Sequence, residues 1–159
     1  MPTVSRRGVL RAAAALGAVW ATASACGSAP EPPKVDDLES QLALARRDSD
    51  LATAAAAADP SSSPAQALSV AAAERTDHAR ALVQEIARAT GTPPPSSPSG
   101  APSGVPSGAP SLAEVTAALK GSADSAAQLA AKLSGYRAGL LGSIAASCTA
   151  SVTVALAVQ

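Results

Sequence analysis

Residues 91–111 read GTPPPSSPSGAPSGVPSGAPS, a composition that cannot build a packed element. Pro removes backbone donors, Gly and Ser add chain entropy, and no side chain is larger than Val. A Pro-Ser-Gly-X repeat starts at Pro98, Pro102 and Pro106. The segment is expected to be a disordered or partly polyproline II linker. Extended at ~3.1 Å per residue, it reaches about 60 Å. A helix of the size expected here is about 35 Å long. The link therefore permits parallel as well as antiparallel neighbours. It also separates two stretches, 36–90 and 112–159, each long enough for one helical hairpin.

Both stretches are rich in Ala, the strongest intrinsic helix former. Phe is absent, and Trp20 and Tyr136 are the only aromatic residues. Strands favour β-branched and aromatic side chains, which are sparse here. The chain reads as all-α, a four-helix bundle of two hairpins joined by the linker. Ala buries little area, so at roughly 25 cal/mol per Å² its core is thin.

Helix signals are local and clear. Asp36, Asp37 and Glu39 put acids in a first turn, and Asp59-Pro60 stops that helix near Ala58. Its expected inner face is Val35, Leu38, Leu42, Ala45, Ser49 and Ala52. Ser63-Pro64-Ala65-Gln66 starts a second helix, with Pro64 at its first position, and Thr90-Gly91 ends it. Leu68, Ala72, Arg75, Ala79, Leu82 and Ile86 share its inner face. Arg75 in that row must snorkel, pair with an acid on another helix, or lie on an incompletely buried face. Ser111-x-x-Glu114 is a capping box, and Leu112, Val115, Leu119, Ala126, Ala130 and Leu133 follow in one stripe. Ser134-Gly135 breaks the pattern. Residues 138–158 carry no charge. The best reading of that stretch is a central helix buried on several sides, with Gly139, Gly142, Ser143 and Ser147 admitting close neighbours. Membrane association and an oligomer interface are the alternatives.

The N-terminal region is an address. Ser5-Arg6-Arg7-Gly8-Val9-Leu10-Arg11 is followed by 14 weakly apolar residues, 12–25. That run is short of the ~20 needed to span a bilayer. A basic head, a short apolar middle and small residues before a cut define a secretory signal. Ala23-Ser24-Ala25-Cys26 ends it. The motif around Arg6 and Arg7 resembles the twin-arginine export signal. The Cys26 motif resembles the bacterial lipobox, with Ala23 in place of the usual Leu. The resemblance implies a covalent diacylglycerol and acyl lipid on Cys26, the protein's sole expected cofactor-like group. An ordinary secretory signal with an incidental Cys and an uncleaved anchor helix are the other readings. The organisation is then a signal (1–25), a lipidated tether (26–35), hairpin one (36–90), linker (91–111) and hairpin two (112–159). Beyond Cys26, 9 basic side chains face 12 acidic ones, a net charge of −3. That argues against a nucleic-acid partner.

Candidate chemistry lies in AAAERTDHARALVQEIAR, residues 71–88. Glu74 and His78 are four apart and Glu85 is seven further on, so the three share a helix flank. They are the candidate ligand-binding or pH-sensing residues, since His titrates near neutrality. A di-metal bundle site needs Glu-x-x-His on two helices and a lone Glu on two more. This chain has Glu-x-x-x-His once, so no metal site is assigned. Asp48, Asp50, Glu114 and Asp124 are placed largely off the inner faces. Cys148 reads as a buried inert thiol with no neighbouring base, and no catalytic residue is assigned.

ERTDHARAL and YRAGLLGSIAAS, with the signal and lipobox, resemble segments of alanine-rich, twin-arginine-exported lipoproteins of actinobacteria. Some of these have a ferritin-like helical bundle. The resemblance implies an envelope protein of unassigned activity. Its expected place is the outer face of the cytoplasmic membrane, held by its lipid, with an envelope protein or a ligand as its partner. A non-enzymatic binding or structural bundle is the leading expectation. A ferritin-like metal-binding protein or oxidoreductase is the second. A membrane-embedded component using its last helix is the third.

Overall fold

A computed structural model describes residues 35–93 and 108–157. Arg6, Arg7, Cys26 and most of the Pro-Ser-Gly segment lie outside the described residues, and so does the disorder expected of it. Among the described residues there are helices and no strands: α1 Asp36–Ala58, α2 Ala65–Thr90, α3 Leu112–Ala130 and α4 Gly135–Ala150. A π-helical segment, Ser151–Ala155, continues α4.

The helix ends follow the chain's punctuation. Asp36, Asp37 and Glu39 occupy the first turn of α1, where the helix dipole favours negative charge. Asp59 leaves the helical region at φ −144° and ψ 83°, ahead of Pro60. The turn is then pinned by Ser62 N–H to Asp59 O (3.1 Å) and Ala65 N–H to Ser62 O (3.1 Å). Pro64 takes the N-cap position of α2, so the helix begins one residue later than expected. Gly91 ends α2 at φ 69°, a left-handed conformation that costs Gly nothing, and donates to Ala87 O. α3 carries the full capping box. Ser111 Oγ accepts from Glu114 N–H (3.2 Å), and Ser111 N–H donates to Glu114 Oε2 (2.7 Å). Such a cap contributes about 1 kcal/mol. Residues at both ends of the 91–111 segment thus belong to the helices: Gly91 closes α2, and buried Pro110 precedes the Ser111 cap.

The four helices form a bundle in which α1 neighbours α2 and α3, and α4 neighbours α3 and α2. Side-chain pairs give the directions. Gln41 meets Ser125 and Asp48 meets Ser122, so α1 and α3 run antiparallel. Glu85 meets Arg137 and Glu74 meets Ser147, so α2 and α4 do too. Hence α2 and α3, on the diagonal, run the same way. The connection between them crosses from one end of the bundle to the other, the up-down-down-up connectivity of bundles with one long crossover. Close backbone approach is dense within each hairpin, thinner between α1 and α3, and sparse between α2 and α4.

The core is built from Leu38, Leu68, Leu82, Val115, Leu119, Leu141 and Ile144, with alanine at about half of the buried apolar positions. Three expectations are corrected. On α1, Gln41 and Asp48 are buried, while Leu42 and Ser49 are half-buried. The true inner row is 38-41-45-48-52, one position around from the row chosen by apolar character. The last helix is not central. α4 buries Leu141, Ile144, Ala145 and Cys148, while Tyr136 and Val154 are each 65% exposed along its outer side. A ring of four helices gives each member two neighbours and an outer face, so no central position exists. Finally, a Cβ built on Gly139 or Gly142 meets nothing within 4 Å, so these glycines admit no close neighbour.

Over Gly135–Ala155 the mean hydropathy reaches 1.5 in an 18-residue window of which 22% is buried. By length and composition alone that stretch can cross a membrane. The π-helical turn has a packing reason. Leu156 N–H bonds Ser151 O, five residues back, and this wider turn brings Leu156 rather than Ala155 into the core.

Candidate functional site

The residues that converge are polar and lie across the middle of the bundle. Asp48, in the fourth turn of α1, is fully buried. Its Oδ2 accepts from Arg75 Nη2 (3.0 Å) and from Ser122 Oγ (2.5 Å), and its Oδ1 accepts from Arg47 Nη2 (3.0 Å) and Nε (3.3 Å). Arg75 and Asp48 are 2% and 0% exposed, so the pair is removed from water. Of the alternatives open for Arg75, pairing with an acid on a neighbouring helix is the one realised. Its Nη1 lies 3.3 Å from His78 Nδ1. Its Nε is buried with no hydrogen-bond partner among the described residues.

Glu74, on the same helix, faces α4. Its Oε2 accepts from Ser147 Oγ (2.9 Å) and Ser151 Oγ (3.1 Å). Glu74, Arg75 and His78, within two turns of α2, therefore reach each of the other three described helices. Glu74 reaches α4 and its π-helical extension. Arg75 reaches α1 directly and α3 through Asp48. Along the α1–α3 join, Gln41 Nε2 donates to Ser125 Oγ (2.8 Å).

Glu85 does not join this group. Its carboxylate is 1% exposed and accepts from Arg88 Nε (2.7 Å) and Nη2 (2.6 Å) and from Arg137 Nε (2.7 Å) on α4. Glu74, His78 and Glu85 share a flank in sequence, but in space they split into two clusters. No group of three His, Cys, Asp or Glu side chains is placed to hold a metal ion among the described residues. Asp48, expected off the inner faces, sits at the centre. Ser122 and Ser151 carry no sequence signal, and Ser147 reads only as a small residue that admits a close neighbour. The available clue for Asp48 was its spacing, three after Ala45 and four before Ala52, opposite a helix with Arg75 on its own inner row.

The electrostatics follow the geometry. Burial, and then the Arg75 guanidinium, hold the His78 ring below its ordinary value, against the upward pull of Glu74 and Asp77. Burial pushes the Cys148 thiol up; Arg75 opposes this, and Asp48 and Glu74 reinforce it. The thiol is thus kept protonated, which suits a packing residue and not a nucleophile. Hydrogen bonds from Arg88 lower the Glu85 carboxyl; burial opposes them, and Arg137 adds to them.

Glu85 carries a pH prediction. Its folded value lies below the ordinary 4.5, so between the two the unfolded chain binds more protons. Its stabilisation is present above pH 4.5 and is lost as pH falls through the folded value. Urea unfolding of Glu85→Gln should lose stability at pH 7 and show a shallower acid decline than the wild type. Equal acid slopes in the two proteins would show that Glu85 is not the group responsible.

An open groove of about 500 Å³ lies between α1 and α2 near the end of α2. Leu42, Val83 and Ile86 are among its apolar lining, with Glu39 and Arg46 on α1.

No family model, no curated protein and no solved structure matches this chain.

Proposed function

We propose that this protein is a non-enzymatic lipoprotein, exported through its Arg6-Arg7 signal. In this reading a lipid on Cys26 tethers it to the outer face of the cytoplasmic membrane, and the bundle serves as a binding or structural module. The observation that carries the proposal is the order of segments. A paired-Arg head, 14 weakly apolar residues, Ala23-Ser24-Ala25-Cys26 and a short Pro- and Gly-containing tether lead to α1 at Asp36. Two or more acyl chains anchor stably, at about 0.8 kcal/mol per buried CH₂. The polar groups of the bundle support a module without chemistry. Asp48, Glu74 and Glu85 are occupied by helix-to-helix bonds, and burial keeps the thiol of Cys148 protonated. The groove between α1 and α2 is a candidate place for a partner in the envelope.

The test is radiolabelled palmitate incorporation in an actinobacterial host. The wild type should carry label and fractionate with membranes. Cys26→Ala should carry none and partition to the soluble fraction. Unchanged membrane retention of the unlabelled variant would sink the proposal.

One observation favours a second reading, in which α4 itself enters the membrane: its outer face is exposed and carries no charge from residue 138 onward. Alkaline carbonate extraction of Cys26→Ala separates the two. Release into the soluble fraction rules out a spanning helix, and retention in the pellet supports one.

A further inference from the structure

His78 sits beside the groups that hold the bundle together. It is the only His in the sequence, and it is half-buried, so protons reach it. We propose that protonation of His78 releases the C-terminal half of α4 from α2, loosening the bundle on that side in mildly acidic surroundings.

The geometry supplies the route. With Arg75 Nη1 at 3.3 Å as donor, His78 Nδ1 must be an unprotonated acceptor. Protonation removes that lone pair and sets two cations face to face. The charged and titratable groups around the ring, and around its neighbours Arg75 and Glu74, are few. On α2 they are Arg75, Glu74 and Asp77, and Asp77 is already bonded to Arg80. α1 brings Asp48, whose carboxylate is filled by Arg47, Arg75 and Ser122. α4 brings Cys148 and the hydroxyls of Ser147 and Ser151, and α3 brings the hydroxyl of Ser122. The acceptor left for an imidazolium is Glu74, four residues earlier on the same helix, a spacing at which side chains meet.

Glu74 Oε2 is also the atom that holds Ser147 and Ser151. Against that carboxylate the hydroxyls present only dipoles, whereas the imidazolium presents a full positive charge, so it draws Glu74 toward itself and away from Ser147 and Ser151. The backbones of α2 and α4 approach closely at few points, so these side-chain bonds are a large part of the join. The other link, Glu85 to Arg137, lies near the start of α4 and stays ionic at this pH. The N-terminal end of α4 therefore remains fixed while residues 144–157 loosen. Arg75 keeps Asp48, so the α1–α2 hairpin stays closed.

Backbone hydrogen exchange on the full chain at pH 7.5, 6.5 and 5.5, corrected for intrinsic exchange, tests this. With a single His, the ring's proton NMR titration needs no assignment. Protection in residues 144–157 should fall severalfold as pH drops, with the midpoint of the ring titration, while α1 and α3 keep theirs. His78→Gln should flatten the profile. Glu74→Gln, which removes the charge that captures the imidazolium, should flatten it as well, and it serves if His78→Gln does not fold. Three results overturn the proposal. These are a flat wild-type profile, the wild-type slope persisting in either variant, and an equal loss of protection in all helices. None of these readouts depends on whether Cys26 is lipidated.

Discussion

Asp48→Ala should lower the unfolding free energy by about 3–5 kcal/mol. The cost comes from what is left behind. Arg75 is 2% exposed, its Nε already has no hydrogen-bond partner among the described residues, and its Nη2 would lose the carboxylate. A buried cation without a counter-ion is among the most expensive defects a small core can carry. A domain of this size has about 5–15 kcal/mol in total. With alanine at about half of its buried apolar positions, this one belongs toward the lower end. Much of the variant should therefore be unfolded at room temperature, as read by circular dichroism across a urea series. The double variant Asp48→Leu/Arg75→Met removes both charges and fills the space. It should recover most of the loss, because ion pairs in apolar surroundings often do no better than hydrophobic replacements. A shift below about 1 kcal/mol in the single variant would place the pair in the class of solvated surface bridges.

Leu82→Ala should cost about 4 kcal/mol, in the upper part of the usual 2–5 kcal/mol range. Leu82 is 0% exposed. The penalty for such a truncation depends on how far the neighbours collapse into the space. Buried neighbours of Leu and Ile type can change rotamer, whereas Ala has no side-chain torsion to change. An alanine-rich core relaxes poorly, and the cavity stays open. The measurement is the urea midpoint at unchanged m-value. Val70→Ala, at a 45% exposed site, is the control and should shift little. A loss of less than 2 kcal/mol at Leu82 would mean that the helices close up around the gap.

How much of this was legible depends on the range of the interaction involved. Asp59-Pro60, Gly91 and Ser111-x-x-Glu114 announced helix ends because capping and proline geometry act within a few residues. The structure places those ends within a residue or so of the expectation. Arg75 was recognisable as an anomaly on an apolar row, but its partner was not. Asp48 lies 27 residues earlier, and periodicity within one helix does not say which residue of another it will face. The inner row of α1 differs from the expected one for a related reason. Leu42 and Ser49 compete with Gln41 and Asp48 for the inner side by a rotation of one position. Apolar character favours the first pair; the polar partners on α2 and α3 favour the second. Glu74, His78 and Glu85 shared a flank on paper, and they part company because different stretches of α4 claim the two carboxylates.

The last helix shows the same division. Its lack of charge from 138 onward was plain in the sequence and suggested a central position. A bundle of four has no centre for a helix to occupy, so the uncharged outer face of α4 is left uncovered by the other described helices.

By itself, then, the sequence determined an all-helical chain in two hairpins, its helix ends, and a thin alanine-rich core. These follow from backbone propensities and caps, which are decided locally. The tertiary structure alone decided that Asp48, Arg75 and Ser122 meet, that Glu74 and Glu85 each tie α2 to α4, and that α4 lies with one face open. Those outcomes depend on the relative rotation and direction of whole helices. Packing and buried charge set these only when all four helices are in place.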